Sequence, residues 1–434
     1  MFSLIKSSFN KILPNNLRLR TKIYLIRTKI GYKIILNILN SNNYIKFFKQ
    51  VLISQSVEFR RFINLEDIAT IVPGNIEHLN DKTTLLYYSK PIFDSLKFEE
   101  SPLMEIAGHK NYEAILKEVI IIGESNLILL NKQNALYYFK QYDFQNRFRY
   151  TDTAIQYYKN DCCLIKINES KISFKEAIFL GGNFSWNYYH FLYEILVKFE
   201  RIDALNLDLD IPILVDKKCF HVPQYFELIS FLNKKNRKII LLNKGERYLV
   251  NRMHYFLSPN FIPPNYVNDN EILPEDVLLN LKSLNYLKIN LLPLSTKTDF
   301  PKRIYISRSK ASSRRQFNEN EVFDILEKFG FITVFPENYS IADQITMFYN
   351  AEFITGGSGA AFTNLLFCKP LCKVIIFAKN SLPFSGFSTI ASYAGVNMTY
   401  ITENLNYKDI TNDIHASFNI NTEKLNDILK KWIA

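Results

Sequence analysis

The first 57 residues contain no aspartate and no glutamate, yet they carry ten lysines and arginines. The whole 434-residue chain has a formal charge of +11, so that one segment holds nearly all of the excess and the remainder is close to neutral. A uniformly basic surface would point to nucleic acid; a basic arm on a neutral body points to docking, and no nucleic-acid partner is expected. No apolar run reaches the roughly 18 to 20 residues that a membrane span needs. The N-terminus has neither an uninterrupted apolar core nor a small-residue cleavage site, so it reads poorly as a signal peptide. Cysteine is scarce. Cys162, Cys163, Cys219, Cys368 and Cys372 form an odd set without C-x-x-C spacing, which suits unbonded thiols in a reduced compartment. Internal repeats are also lacking.

What is present suffices for real cores: 47% of residues are hydrophobic and 15% aromatic, and the length suits two or three domains. In the basic arm, apolar residues interleave with cations, as in Leu17-Arg18-Leu19-Arg20 and Ile23-Tyr24-Leu25-Ile26-Arg27. Interfacial helices have this pattern, and each cation near an anionic leaflet contributes about 1 kcal/mol. The expectation is that residues 1–57 dock on an anionic membrane surface, with the protein cytoplasmic and peripheral at the inner face of the plasma membrane. The plain alternative is an amphipathic helix packed on its own domain.

Strand-like and helix-like stretches alternate over the C-terminal part. Strands are expected at 303–306, 331–335, 352–355, 373–377 and 398–401, with helices at 319–329, 341–349 and 422–433 between and after them. Asn318 with Glu321, and Ser340 with Asp343, resemble helix-opening boxes. Alternation at this spacing implies a parallel, Rossmann-like sheet. A similar pattern follows residue 172: strands at 172–180, 211–215, 238–242 and 248–257, and helices at 187–199, 222–232 and 275–291. Residues 62–170 read as short strands and loops. The expected organisation is an arm over 1–60, an α/β domain over 61–292 and a Rossmann-like domain over 293–434. The fold class is α/β, two Rossmann-like domains facing across a cleft plus a basic N-terminal helical arm.

Two loops in the last domain suit phosphate. One holds Gly356, Gly357, Ser358, Gly359, Ala360, Thr363 and Asn364 after a strand, where glycines let the backbone turn tightly and N–H groups can face an anion. The other carries Arg308, Arg314 and Arg315 after the strand at 303–306, and guanidinium forks match phosphate oxygens. Both follow the carboxyl end of a strand, the place where open α/β sheets bind nucleotides. The bland readings are a tightly packed turn and a solvated basic turn. Glu337, after a further strand, is placed to meet a ribose hydroxyl, or is a loop acid. His190 and Glu194 are four residues apart, so a carboxylate can orient an imidazole that takes a proton from a sugar hydroxyl; alternatively they are a satisfied structural pair. Asp208-Leu209-Asp210 precedes its strand and resembles a solvated turn, so no metal site is expected, and no cofactor.

Together these motifs resemble glycosyltransferase family 61, which includes capsular-polysaccharide transferases in bacteria and protein or xylan glycosyltransferases in eukaryotes. The resemblance rests on Asn187-Tyr188-Tyr189-His190-Phe191-Leu192-Tyr193-Glu194, on Arg303-Ile304-Tyr305-Ile306-Ser307-Arg308 with Arg314-Arg315, and on Asn318-Glu319. It continues through Phe335-Pro336-Glu337, Asp343-Gln344-Ile345 and the glycine loop, covering roughly residues 180 to 385. The resemblance implies a GT-B fold, inversion at the anomeric carbon without an obligatory metal, and a nucleotide-sugar donor held by the C-terminal half. Carried over, Arg308, Arg314 and the loop at 356–364 contact the diphosphate, and His190 and Glu194 lie on the acceptor side. The implied product is a growing capsular or lipopolysaccharide-type surface glycan, with a glycan or lipid-linked glycan as acceptor. The family loop usually reads Gly-x-His-Gly-Ala, and here Ser358 stands at the histidine position. A hydroxyl donates to phosphate but carries no charge, which opens a second reading: a nucleotide- or glycan-binding relative without transferase activity. An oxidoreductase is disfavoured, because an arginine-rich loop replaces G-x-G-x-x-G after the first strand of the last domain.

Overall fold

The computed structural model describes residues 57–143, 146–150, 152–159, 161–166, 172–263, 265–268, 272–310, 316–379, 384–403 and 417–433. The basic arm up to residue 56, and Arg314 and Arg315, lie outside the described residues.

The fold is mixed α/β, built on two sheets. The first holds β1 (Val57–Ile63), β2 (Ile76–Tyr88), β3 (Met104–Ile122), β4 (Ile128–Leu129), β5 (Asn134–Leu136), β6 (Ile155–Lys159), β7 (Cys162–Lys166), β8 (Ile172–Phe179), β9 (Ile213–Asp216), β10 (Ile239–Leu242) and β11 (Arg247–Phe256). Its order is β10-β9-β8-β11-β3-β4-β5-β1-β7-β6, with β2 also paired to β3. β10, β9, β8 and β11 are mutually parallel; β11 then meets β3 antiparallel. The second sheet holds β12 (Arg303–Ile306), β13 (Ile332–Val334), β14 (Phe353–Gly357), β15 (Lys373–Ala378) and β16 (Asn397–Thr402), in the order β13-β12-β14-β15-β16. Every pair in it is parallel. Such a sheet is covered on both faces, which is why its strands are apolar runs such as Val374, Ile375, Ile376 and Phe377, all fully buried.

The order of the second sheet reverses between β12 and β14. Chain connections leave those two strands in opposite directions, and the region beyond their carboxyl ends is where open sheets of such an order bind ligands. Ser307-Arg308 and Ser358-Gly359 are the residues that follow those two ends. The topology therefore brings the arginine loop and the glycine loop to one place.

Three expectations are corrected in detail. Residues 76–122 form a long hairpin of 13- and 19-residue strands rather than short strands; a bulge between Thr84 and Leu86 breaks the alternation that would have revealed it. The helix expected over 275–291 is confined to α1 (Leu281–Leu291). Upstream of it, Asp276 is held by Arg147 at 2.6 Å, Leu278 pairs through its backbone with Phe261, and Asn280 caps the helix by accepting from the Ser283 N–H. Asn318 precedes α2 (Glu319–Lys328) without capping it, because its carboxamide oxygen accepts from the Ile420 N–H at 2.8 Å. Ser340 does cap α3 (Ile341–Asn350), accepting from Asp343.

The two sheets share packing. One buried cluster takes Ile178, Leu192 and Val215 from the first half and Ile306, Ile354 and Leu366 from the second. Segment 89–95 lies along β16, with the Asp94 N–H donating to Tyr400 and the Tyr400 N–H to Ile92. Among the described residues no helix is long and apolar enough to cross a membrane, and all five cysteines are buried and form no disulfide.

Gly356 faces Ile306 across the β12–β14 pair, and a Cβ there would lie 2.6 Å from the Ile306 carbonyl oxygen. Gly356→Ala is expected to force the two strand ends apart and to cost about 1–3 kcal/mol. A thermal melt reads this; an unchanged midpoint would mean the strand ends separate freely.

Candidate active site

Arg308 lies across the glycine loop. Its Nη1 donates to the Ser358 carbonyl at 3.3 Å. A Cβ at Gly359 would fall 2.5 Å from the same nitrogen, and one at Gly357 would fall 2.8 Å from the Arg308 Cδ. Glycine at these positions is what lets the arginine lie down. From below, Glu319, the first residue of α2, fixes the strand end: its carboxylate accepts from the Tyr305 hydroxyl at 2.7 Å, the Ser307 hydroxyl and the Arg308 N–H at 3.0 Å. Burial pulls the Arg308 guanidinium below its ordinary value, and Glu319 and then Glu337 pull it back. Glu337 is exposed on the short turn after β13. Lys310 sits 4.2 Å from the centroid of the Phe335 ring, so the arginine loop is also tied to β13's end.

The glycine loop divides into an accessible and a hidden part. Gly356 and Gly357 are buried in the strand, while Ser358, Gly359 and Ala360 are half-buried. The Ser358 N–H donates to the Phe377 carbonyl at 2.8 Å, so that amide serves the sheet. Thr363 and Asn364 are fully buried in a 3-10 helix, Ala360–Phe367. Their groups serve the neighbouring motif: Asn364 Oδ1 accepts from the Tyr188 hydroxyl at 2.8 Å, and the Thr363 carbonyl accepts from the Tyr193 hydroxyl at 3.0 Å. They stand behind the loop as its anchor.

His190 and Glu194 lie on the helical run that follows β8. It begins as an α-helix, Tyr188–His190, and widens to a π-helix, Phe191–Ile195, a local irregularity often found at functional sites. His190 Nδ1 is hydrogen-bonded to Glu194 Oε2, and their side chains are only 15% and 14% exposed. With Nδ1 donating to the carboxylate, Nε2 is the nitrogen left to take a proton. Phe184 stacks on the imidazole at 5.2 Å. A second His–Glu pair, His254 Nε2 to Glu176 at 2.7 Å, joins adjacent strands β11 and β8.

Two buried charged residues near the pair were missed. Lys198, 7% exposed, closes this run's series of His190, Glu194 and Lys198 at intervals of four. Burial lowers its ammonium to about 8, with Glu194 and then Asp216 pulling upward. Asp216, fully buried at the end of β9, accepts from the N–H groups of Glu124 and Gly182 and from the Ser185 hydroxyl, each at 2.8 Å. Burial pushes its carboxyl up to about 6. The fourfold spacing and the acid closing an apolar strand were the available signals. Asp208 and Asp210 are exposed, and the Asp210 N–H donates to the Asp208 carboxylate, a turn motif. Among the described residues no group of three or more His, Cys, Asp or Glu side chains is arranged to hold a metal ion.

Residues 188–375 match the family model described as Glycosyltransferase 61. That match supports membership of glycosyltransferase family 61 over that stretch. No curated protein sequence matches the chain. The match supports glycosyltransferase activity in general. The matched stretch encloses His190, Glu194, Lys198, Asp216, Arg308, Glu319, Glu337 and the whole glycine loop, so both constellations lie inside the region of family similarity.

Lys198 gives a pH test. Its folded value lies below that of an unfolded lysine, so between about pH 8 and 10.5 the folded chain binds fewer protons and stability rises with pH. Lys198→Met is expected to raise the melting temperature at pH 7, and the gain should shrink as pH climbs through that window. Melts from pH 6 to 10.5 check it; a destabilised variant at pH 7 would show that the ammonium's partners outweigh its burial.

Proposed function

We propose that this chain is an inverting, metal-independent glycosyltransferase of GT-B-like architecture that moves a sugar from a nucleotide-sugar donor to a growing surface glycan, capsular or lipopolysaccharide-type. The observation that carries the reading is Arg308 laid over Gly357 and Gly359 at a topological switch point. There, a diphosphate meets a guanidinium fork and backbone N–H groups at once.

In this reading the acceptor hydroxyl oxygen attacks the anomeric carbon as the bond from that carbon to the β-phosphate oxygen breaks. The hydroxyl proton passes to His190 Nε2, while Glu194 holds the ring and stabilises the imidazolium. One displacement inverts the anomeric centre. The nucleoside diphosphate leaves with its charge met by Arg308, by Arg314 and Arg315, and by loop N–H groups around Gly359 and Ala360; Glu337 meets the ribose. No metal or cofactor is assigned a role. The acceptor is a glycan or lipid-linked glycan, and residues 1–57 hold the enzyme on an anionic membrane at the cytoplasmic face.

The full chain, offered a panel of nucleotide sugars together with short oligosaccharide acceptors, should release nucleoside diphosphate from at least one. His190→Ala should lower transfer by about 10²–10⁴-fold with donor affinity unchanged. Arg308→Ala should weaken nucleoside diphosphate binding by roughly ten- to a hundredfold, the scale of a charge-assisted hydrogen bond. Unchanged affinity would remove Arg308 from the site.

Ser358 favours a second reading, a binding relative without transfer chemistry. Ser358→His discriminates: a gain in transfer supports the lapsed enzyme, and a loss supports an enzyme adapted to serine.

A further inference from the structure

Trp186 is 41% exposed, whereas the other tryptophan, Trp432, is 2% exposed. It lies two residues before the family match begins, on the loop between β8 and the helix that bears His190. An indole is large and mostly apolar, and leaving one in water two ring contacts from His190 suits a binding surface better than a core.

The loop is held on every side. The Gly182 N–H and Ser185 hydroxyl donate to Asp216, the Asn183 N–H donates to Asn126 Oδ1 at 2.9 Å, and the Trp186 carbonyl accepts from the Tyr225 hydroxyl at 2.9 Å. Tyr225 in turn stacks on Phe191 at 4.3 Å and on Tyr188 at 5.8 Å. Lys218 Nζ lies 4.4 Å from the indole centroid and fixes the ring further. Phe184 has φ +64, a strained conformation for a bulky side chain that persists only where the surroundings impose it, and that recurs at ligand clamps. The strain sets its ring between two others: 6.2 Å from Trp186 and 5.2 Å from His190.

We propose that this row, Trp186 to Phe184 to His190, is the acceptor subsite, and that the acceptor is a saccharide whose C–H face stacks on Trp186. The proposal rests on the transferase reading above. A sugar ring presents an apolar face of C–H groups and a polar rim of hydroxyls, so it covers the indole while the rim stays hydrated. The indole lies two ring contacts from the imidazole, the reach of one or two sugar units. The terminal unit then places its hydroxyl at His190 Nε2 while the preceding unit is gripped by Trp186. A lone hydroxyl-bearing lipid or a side-chain hydroxyl of a peptide offers no such face.

The test uses the full chain and a panel of short neutral and anionic oligosaccharides. Because Trp432 is buried, emission quenchable by acrylamide reports Trp186. At least one oligosaccharide should shield it without any donor present. In transfer assays Trp186→Ala should raise the KM for that oligosaccharide about tenfold or more, as loss of an aromatic anchor does, with the nucleotide-sugar KM unchanged and Trp186→Phe intermediate. Shielding by no member of the panel, or an acceptor KM unmoved by Trp186→Ala, overturns the proposal. Binding of a nucleoside diphosphate to the full chain, read by titration calorimetry, reads the transferase assignment separately. If that binding is absent while shielding persists, that assignment fails and the saccharide subsite stands.

Discussion

The contact between Arg308 and the backbone of residues 357–359 is the constraint on which the site depends. A long cationic side chain can lie flat on a neighbouring strand end only where that strand lacks side chains, and here glycines at 357 and 359 leave the room. The strand pair supplies the proximity: β12 and β14 are adjacent, and the strand order reverses between them, the kind of place where open α/β sheets bind ligands. Glu319 completes the arrangement by gathering Tyr305, Ser307 and the Arg308 N–H onto one carboxylate. Charge, backbone and topology converge on one small volume.

The second constellation is coupled to the first by hydroxyls and carbonyls rather than by proximity in sequence. Tyr188 and Tyr193 reach from the histidine-bearing run to Asn364 and Thr363. The Tyr193 bond is buried and the Tyr188 bond part-buried, so they are costly to break, and they fix the imidazole relative to the loop. Glu194 holds that imidazole, and deeper in the junction burial opposes the charges of Lys198 and Asp216. Glu194 and Asp216 partly compensate the Lys198 ammonium.

Much of this was legible in the chain. The five strands of the second sheet, the strand-end placement of both loops and the fourfold spacing of His190 and Glu194 follow from periodicity and from glycine placement. What was hidden has physical reasons. The long β2–β3 hairpin escaped because a bulge interrupts its alternation. The helix at 281–291 looked longer because Leu278 and Leu279 continue an apolar pattern that the structure spends on bridges to Phe261 and Tyr87. Thr363 and Asn364 read as phosphate donors from composition alone, since sequence does not say which face of a short helix is buried. Lys198 and Asp216 are ordinary residues until tertiary packing removes their water.

The most direct measurement is a crystal structure of the full chain with a nucleoside diphosphate. The account predicts the β-phosphate within hydrogen-bond distance of the Arg308 guanidinium and of N–H groups in the 357–361 segment. A diphosphate bound away from both, with Arg308 still donating to the Ser358 carbonyl, would contradict it.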